Sequence, residues 1–225
     1  MDDPGVDPGE LREALGFIRG VNRRLGGTQA LLRHLRRWSA RWEPGRSVTL
    51  LDIGTGSADL PIAARAWAER AGFDLRITGV DLHERTLEVA REQVKGREGI
   101  ELLRADALEL DRTFGARSFD YVHAGMFLHH LPNEIQILTA LAIMDRLAVR
   151  GIVWNDLTRG RLERAFVGLA TLGRGPMVRH DARVSVEAGF TRREVLEYRA
   201  RVGLDYTRYE RMPLAGRFTL AGERG

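Results

Sequence analysis

Apolar residues recur along this chain with two different periods, and the change from one to the other outlines a fold. Between residues 10 and 42 the spacing is helical. Leu11, Leu15, Ile18, Val21 and Leu25 form one stripe, and Leu31, Leu35, Trp38 and Trp42 form a second. Gly26-Gly27 separates two predicted helices, with Thr28 expected to cap the second, and Glu43-Pro44-Gly45 is a stop. From Val48 onward, β-rich runs at 48–53, 75–80, 100–104, 119–124 and 151–155 alternate with amphipathic stretches at 59–71, 84–95 and 133–148. That alternation predicts parallel strands joined by right-handed crossovers, an α/β fold with a doubly wound sheet. After Asp156, residues 160–173 read as helix and 174–186 as loop. Residues 191–202 read as a helix capped by Thr191, with Glu194 completing a capping box. Two alternating runs, 204–211 and 217–221, suit a closing antiparallel pair.

Composition narrows the class. At 225 residues the chain is long enough for one domain with a full core. No apolar run approaches the roughly 18 residues of a membrane span, so no span is expected. The acidic, Pro/Gly-rich start MDDPGVDPGE lacks the features of a secretory signal and reads as a flexible leader over residues 1–9. There are no cysteines, which excludes disulfides, thiolate metal sites and cysteine nucleophiles and suits a cytoplasmic protein. The net charge is +4, and Lys95 is the only lysine among 35 basic residues. Arg23/Arg24, Arg36/Arg37 and Arg192/Arg193 are possible phosphate contacts, but acids are interspersed throughout and nucleic acid is not the expected partner.

The chemistry-bearing residues fall at predicted strand ends. Asp52 precedes Gly54-Thr55-Gly56, where glycine lets the backbone turn sharply beside a ligand. Asp81, ending the second strand just before Leu82, can accept both hydroxyls of a ribose. Asp106, after the third strand and next to Ala107, can accept from an adenine amino group. The fourth strand opens onto Ala124 and Gly125. All would lie on the carboxyl edge of one sheet, where such folds bind ligands. A dinucleotide fingerprint would carry a third small residue where this chain has Asp59. With Asp52 nearby, that acid suits a cationic nucleoside cofactor and opposes a diphosphate.

The glycine motif Asp52–Gly56, Asp81, Asp106 and the segment Leu128-His129-His130-Leu131 together resemble the class I, Rossmann-like S-adenosylmethionine-dependent methyltransferases. The resemblance implies a mostly parallel seven-stranded sheet with a reversed last strand, an N-terminal helical lid and a helical insertion after strand 5. It implies S-adenosylmethionine as cofactor, with Asp52, Gly54, Thr55, Gly56 and Asp59 at its amino-acid end. Asp81 and Leu82 would meet the ribose, Asp106 and Ala107 the adenine, and Ala124 and Leu128 the methionine portion. The expected organisation is one domain over 10–225: a lid at 10–42, a cofactor-binding core at 48–156, a substrate insertion at 157–190, and a closing helix and strand pair at 191–225.

Methyl transfer from a sulfonium needs alignment, desolvation and, for an oxygen nucleophile, a base. The candidates are His129 and His130 past the fourth strand, His180 beside Asp181 in the expected loop, and Asp156 at the end of the fifth strand. His34 reads as solvated and His83 as a neighbour of adenine. Phe17, Ile18, Leu169, Leu172, Met177 and Val178 supply an apolar roof. The flanking segments are similar to small bacterial methyltransferases of secondary metabolism, of polyketide and quinone type. The expected acceptor is therefore a hydroxylated aromatic or polyketide-like small molecule, methylated on oxygen, with carbon left open. No divalent-metal cluster is expected. The rival functions are an RNA or protein methyltransferase and a cofactor-binding regulator without turnover; monomer and homodimer are equally compatible with the sequence.

Overall fold

The computed structural model describes residues 7–160, 176–212 and 215–225, with the side chains of 176, 177, 181 and 182 left aside. Helix α1 (Pro8–Arg24) starts with proline in its first turn. Its Asp7 cap accepts from the amides of Gly9 and Glu10 at 2.8 and 3.1 Å. Helix α2 (Gly27–Trp38) follows directly. Its cap is Gly26 at φ 78°, not Thr28, because only the left-handed glycine turns the chain sharply enough between the two helices.

The alternation then runs β1 (Val48–Ile53), α3 (Asp59–Arg70), β2 (Leu75–Asp81), α4 (Glu84–Val94) and β3 (Ile100–Arg104). It continues with the short α5 (Leu110–Thr113), β4 (Phe119–Gly125), α6 (Glu134–Leu147) and β5 (Ala148–Leu157). The C-terminal part contains α7 (Pro176–Ala188), α8 (Arg192–Val202), β6 (Arg208–Met212) and β7 (Arg217–Glu223). Residues 176–186, read as loop in the sequence, are thus helix. Pro176 opens α7, where its missing N–H costs nothing. The helix predicted over 160–173 lies almost wholly outside the described residues. The Thr191–Glu194 capping box is present, with the Thr191 amide 2.7 Å from the Glu194 carboxylate.

The seven strands form one sheet in the order β3-β2-β1-β4-β5-β7-β6. β1 to β5 pair in parallel; β7 runs antiparallel to both β5 and β6. The sheet is therefore doubly wound with a reversed last strand, as the resemblance implied. One face carries the α2–α3 core around Leu35, Trp38, Trp67 and Tyr121; the other carries the α6–α8 core around Trp154, Leu141 and Phe218. Helix α1 packs Leu11 and Leu15 against Val89 of α4, and Arg12 pairs with Glu92 at 2.7 Å. This leaves α1 lying over the carboxyl edge. Among the described residues no helix is long and apolar enough to cross a membrane.

Candidate functional site

The turn after β1 sets the site. Asp52 is buried, and its two carboxylate oxygens are held from within the protein. Thr55 donates its hydroxyl to one at 2.8 Å, and His123 Nδ1 lies 2.5 Å from the other. Asp52 thus supports the loop from beneath. Gly54 and Gly56 have φ of +67° and +56°, in the region that favours glycine. A Cβ on Gly54 would come within 2.6 Å of the Phe127 ring, whereas one on Gly56 would project into open cavity. Gly56 is thus a place where the backbone itself faces the cavity. Gly54→Ala is expected to destabilise the fold by about 1–3 kcal/mol through overpacking and a strained φ, read as a lower urea midpoint.

Asp81 ends β2 next to this turn. Its oxygens accept from the amides of Gly56 at 3.1 Å and His83 at 3.0 Å, so the carboxylate is aimed before any ligand arrives. Asp106 is exposed after β3 and accepts from the Leu108 amide at 2.9 Å. Asp59 begins α3. Burial, with the like charge of Asp52, raises its pKa against the opposing hydrogen bond from Asn22 at 3.1 Å.

These groups line one cavity of about 1100 Å³. Asp52, Gly54, Thr55, Gly56, Asp59, Asp81, Leu82, Asp106 and Ala107 all face it, as do His83, His129 and His130. Ala124 and Leu128 do not. Both are fully buried in the α6-side core, Ala124 through the alternation of β4 and Leu128 in the 3-10 turn that follows it; Gly125, Met126 and Phe127 line the cavity instead. Phe17, Ile18 and Val178 belong to its wall. Leu169 and Leu172 lie outside the described residues, and nothing is described of the Met177 side chain.

The histidines separate clearly. His180 stands exposed on α7 rather than in a loop, and is not among the cavity residues. Nothing is described of the Asp181 side chain. His34 is buried on α2, not solvated. It packs 5.4 Å from the Trp38 ring, and burial beside Arg33 and Arg37 draws its pKa down to about 4. His129 is buried with Nδ1 2.6 Å from Asp156 Oδ1 and its ring 4.2 Å from that of His130. Its Nε2 has no partner among the described residues. Asp156 does not line the cavity; it stands behind His129, completely buried. Burial would raise its pKa, but the attraction of His129 and hydrogen bonds from His129, the Leu157 amide and Trp154 Nε1 outweigh this and hold it low.

Two further residues of the cavity wall were not singled out in the sequence. Asn22 of α1 donates to Asp59 and accepts from Arg217 of β7 at 3.0 Å, joining three elements through one amide. Nothing in the local pattern of VNRR or GRFT marks either residue, since both act only through tertiary placement.

Known proteins share this core. Residues 50–151 match the family described as methyltransferase domain. A demethylmenaquinone methyltransferase of Listeria welshimeri is 37% identical over 95 residues, covering 41% of this chain and 38% of that protein. The chain thus spans well under half the length of the curated relative it matches. Among solved structures, a SAM-dependent methyltransferase from Aquifex aeolicus superposes with TM-score 0.61 at 17% identity, over 97% of this chain and 98% of that one. The magnesium protoporphyrin IX methyltransferase of Synechocystis PCC 6803, solved with bound SAH, gives 0.60 at 15% identity, over 95% and 96%.

Proposed function

We propose, for a chain whose core is a class I methyltransferase domain, that it transfers a methyl group from S-adenosylmethionine to the oxygen of a small hydroxylated aromatic or polyketide-like acceptor. The observation that carries this reading is the sharing of one cavity: Gly56, Asp81 and Asp106 line it together with His129. When bound, the cofactor supplies an electrophilic methyl on a sulfonium that leaves as a neutral thioether.

The protein's part is binding, positioning and proton removal. Asp81, already fixed by two amides, accepts the ribose hydroxyls, and Asp106 lies beside the adenine. Gly56 lets the backbone approach, and Asp59 adds negative charge near a cationic ligand. Asp156 accepts the Nδ1 proton of His129, which fixes the neutral tautomer whose Nε2 is a free acceptor. His129 Nε2 then takes the acceptor's hydroxyl proton as the new O–C bond forms, and Asp156 stabilises the resulting imidazolium. The apolar stripe of α1, with Leu15, Ile18 and Val21 on the cavity, excludes water. His180 has no part in this scheme.

Calorimetry with S-adenosylhomocysteine tests the reading. A folded sample that gives no heat of binding rules it out. Asp81→Ala removes two charge-assisted hydrogen bonds, so affinity is expected to fall by about ten- to a hundredfold; unchanged affinity removes Asp81 from the ribose.

A further inference from the structure

The cavity is lined by acids and by a buried cation. Its acids, Asp52, Asp59, Asp81 and Asp106, stand at the ends of β1, β2 and β3 and at the start of α3. Arg217, which opens β7 opposite Leu157 of β5, faces Asp59 across the Asn22 amide. Arg217 is completely buried yet lines the cavity. Its Nη2 donates to Asn22, while Nε and Nη1 meet no partner among the described residues.

A buried guanidinium left with free donors is costly, and nearby carboxylates would ordinarily neutralise it. Here they are engaged elsewhere. Asp59 accepts from Asn22, and Asp156 accepts from His129, Trp154 and Leu157. Both raise the Arg217 pKa, but burial dominates and draws it down to about 10, so the side chain remains a cation at neutral pH. Asn22 fixes its direction: the amide donates to Asp59 with one end and accepts from Arg217 with the other.

Position indicates which ligand this cation serves. In the sheet order, β4 and β5 lie between β1 and β7. Three strand spacings place the β7 backbone about 14 Å from the glycine-turn strand; Arg217 stands next to Phe218, the partner of Asp156, and its side chain reaches back to Asn22. We propose that Arg217, oriented by Asn22, binds a carboxylate on the acceptor, so that the substrate is an aromatic acid rather than a neutral phenol. The proposal rests on the methyltransferase reading and names the substrate class of that same site.

The test uses the whole chain saturated with S-adenosylhomocysteine, and compares 1-naphthoate with its neutral isostere 1-naphthamide by calorimetry at pH 7. The naphthoate is expected to bind at least about tenfold tighter, a difference equal to 1.4 kcal/mol. Arg217→Gln should abolish that preference and Arg217→Lys should keep part of it. S-adenosylhomocysteine binding by each variant reports an intact fold. Equal affinities in the unaltered protein, or no naphthoate binding, overturn the proposal without reference to any variant. So does an Arg217→Gln protein that keeps the preference. If that variant binds S-adenosylhomocysteine more weakly but 5′-methylthioadenosine equally well, Arg217 holds the cofactor's own carboxylate and the proposal falls. Failure of the unaltered protein to bind S-adenosylhomocysteine removes the methyltransferase reading itself, and this proposal with it.

Discussion

Replacing His129 by glutamine is expected to lower turnover by about 10²–10⁴-fold, the range for losing a positioned general base, with S-adenosylhomocysteine affinity nearly unchanged. Glutamine has a similar reach and can still donate to Asp156, so the pocket wall should survive. What it lacks is a basic nitrogen at the position of Nε2. That nitrogen is buried, faces no partner among the described residues and belongs to a side chain lining the cavity. The loss should appear in the rate of a single turnover with enzyme in excess, where product release has no influence. His180→Gln, on the exposed face of α7, should leave that rate within about twofold, as surface substitutions generally do little. A His129→Gln enzyme of full activity would mean that the acceptor loses its proton to solvent and that His129 only shapes the pocket. The reverse outcome for His180 would require α7 to turn during catalysis.

The placement of these histidines marks how far a sequence reading reaches. The Gly54–Gly56 turn, Asp81 and Asp106 were legible because each depends on local geometry: a strand end, a positive φ, an acid following a β-rich run. The loop reading of 174–186, which carried His180, missed a helix that opens on Pro176, where proline is at ease in the first turn. His34 was misjudged from its arginine neighbours. It lies four residues before Trp38 and four after Ala30, on the stripe that α2 buries. Ala124 and Leu128 were assigned from the resemblance alone, whereas the period of two in β4 sends Ala124 into the core with Val122. Asn22 and Arg217 are 195 residues apart and meet only when α1 crosses the sheet. Their roles arise from a contact that no periodicity encodes.

Asp156→Ala is expected to cost about 3–5 kcal/mol of stability at pH 7, as breaking a buried polar cluster does. The carboxylate accepts from His129 Nδ1 at 2.6 Å, the Leu157 amide at 2.8 Å and Trp154 Nε1 at 3.2 Å. Removal strands three buried donors, each worth about 1–3 kcal/mol when unsatisfied, and an entering water can recover part of the loss. The pH dependence has a definite sign. Burial opposes ionisation of Asp156, but His129 and the N–H donors outweigh it and keep the folded pKa below that of the unfolded chain. The stabilisation is therefore present above the unfolded value of about 3.9 and fades as pH falls through the lower, folded value. Urea midpoints for the parent and Asp156→Ala should differ most at pH 6–7 and converge as pH falls below about 4. A difference that stays constant down to pH 3 would mean that the ionised carboxylate contributes nothing beyond its shape. Asp156→Asn separates shape from charge, since its amide oxygen still accepts from His129 and Leu157. It should therefore fold with a smaller loss than Asp156→Ala. Lacking the charge that stabilises an imidazolium, it should still turn over more slowly. As Asp156 itself does not line the cavity, slower turnover with unchanged cofactor affinity is the signature of a residue acting through His129 rather than on the cofactor.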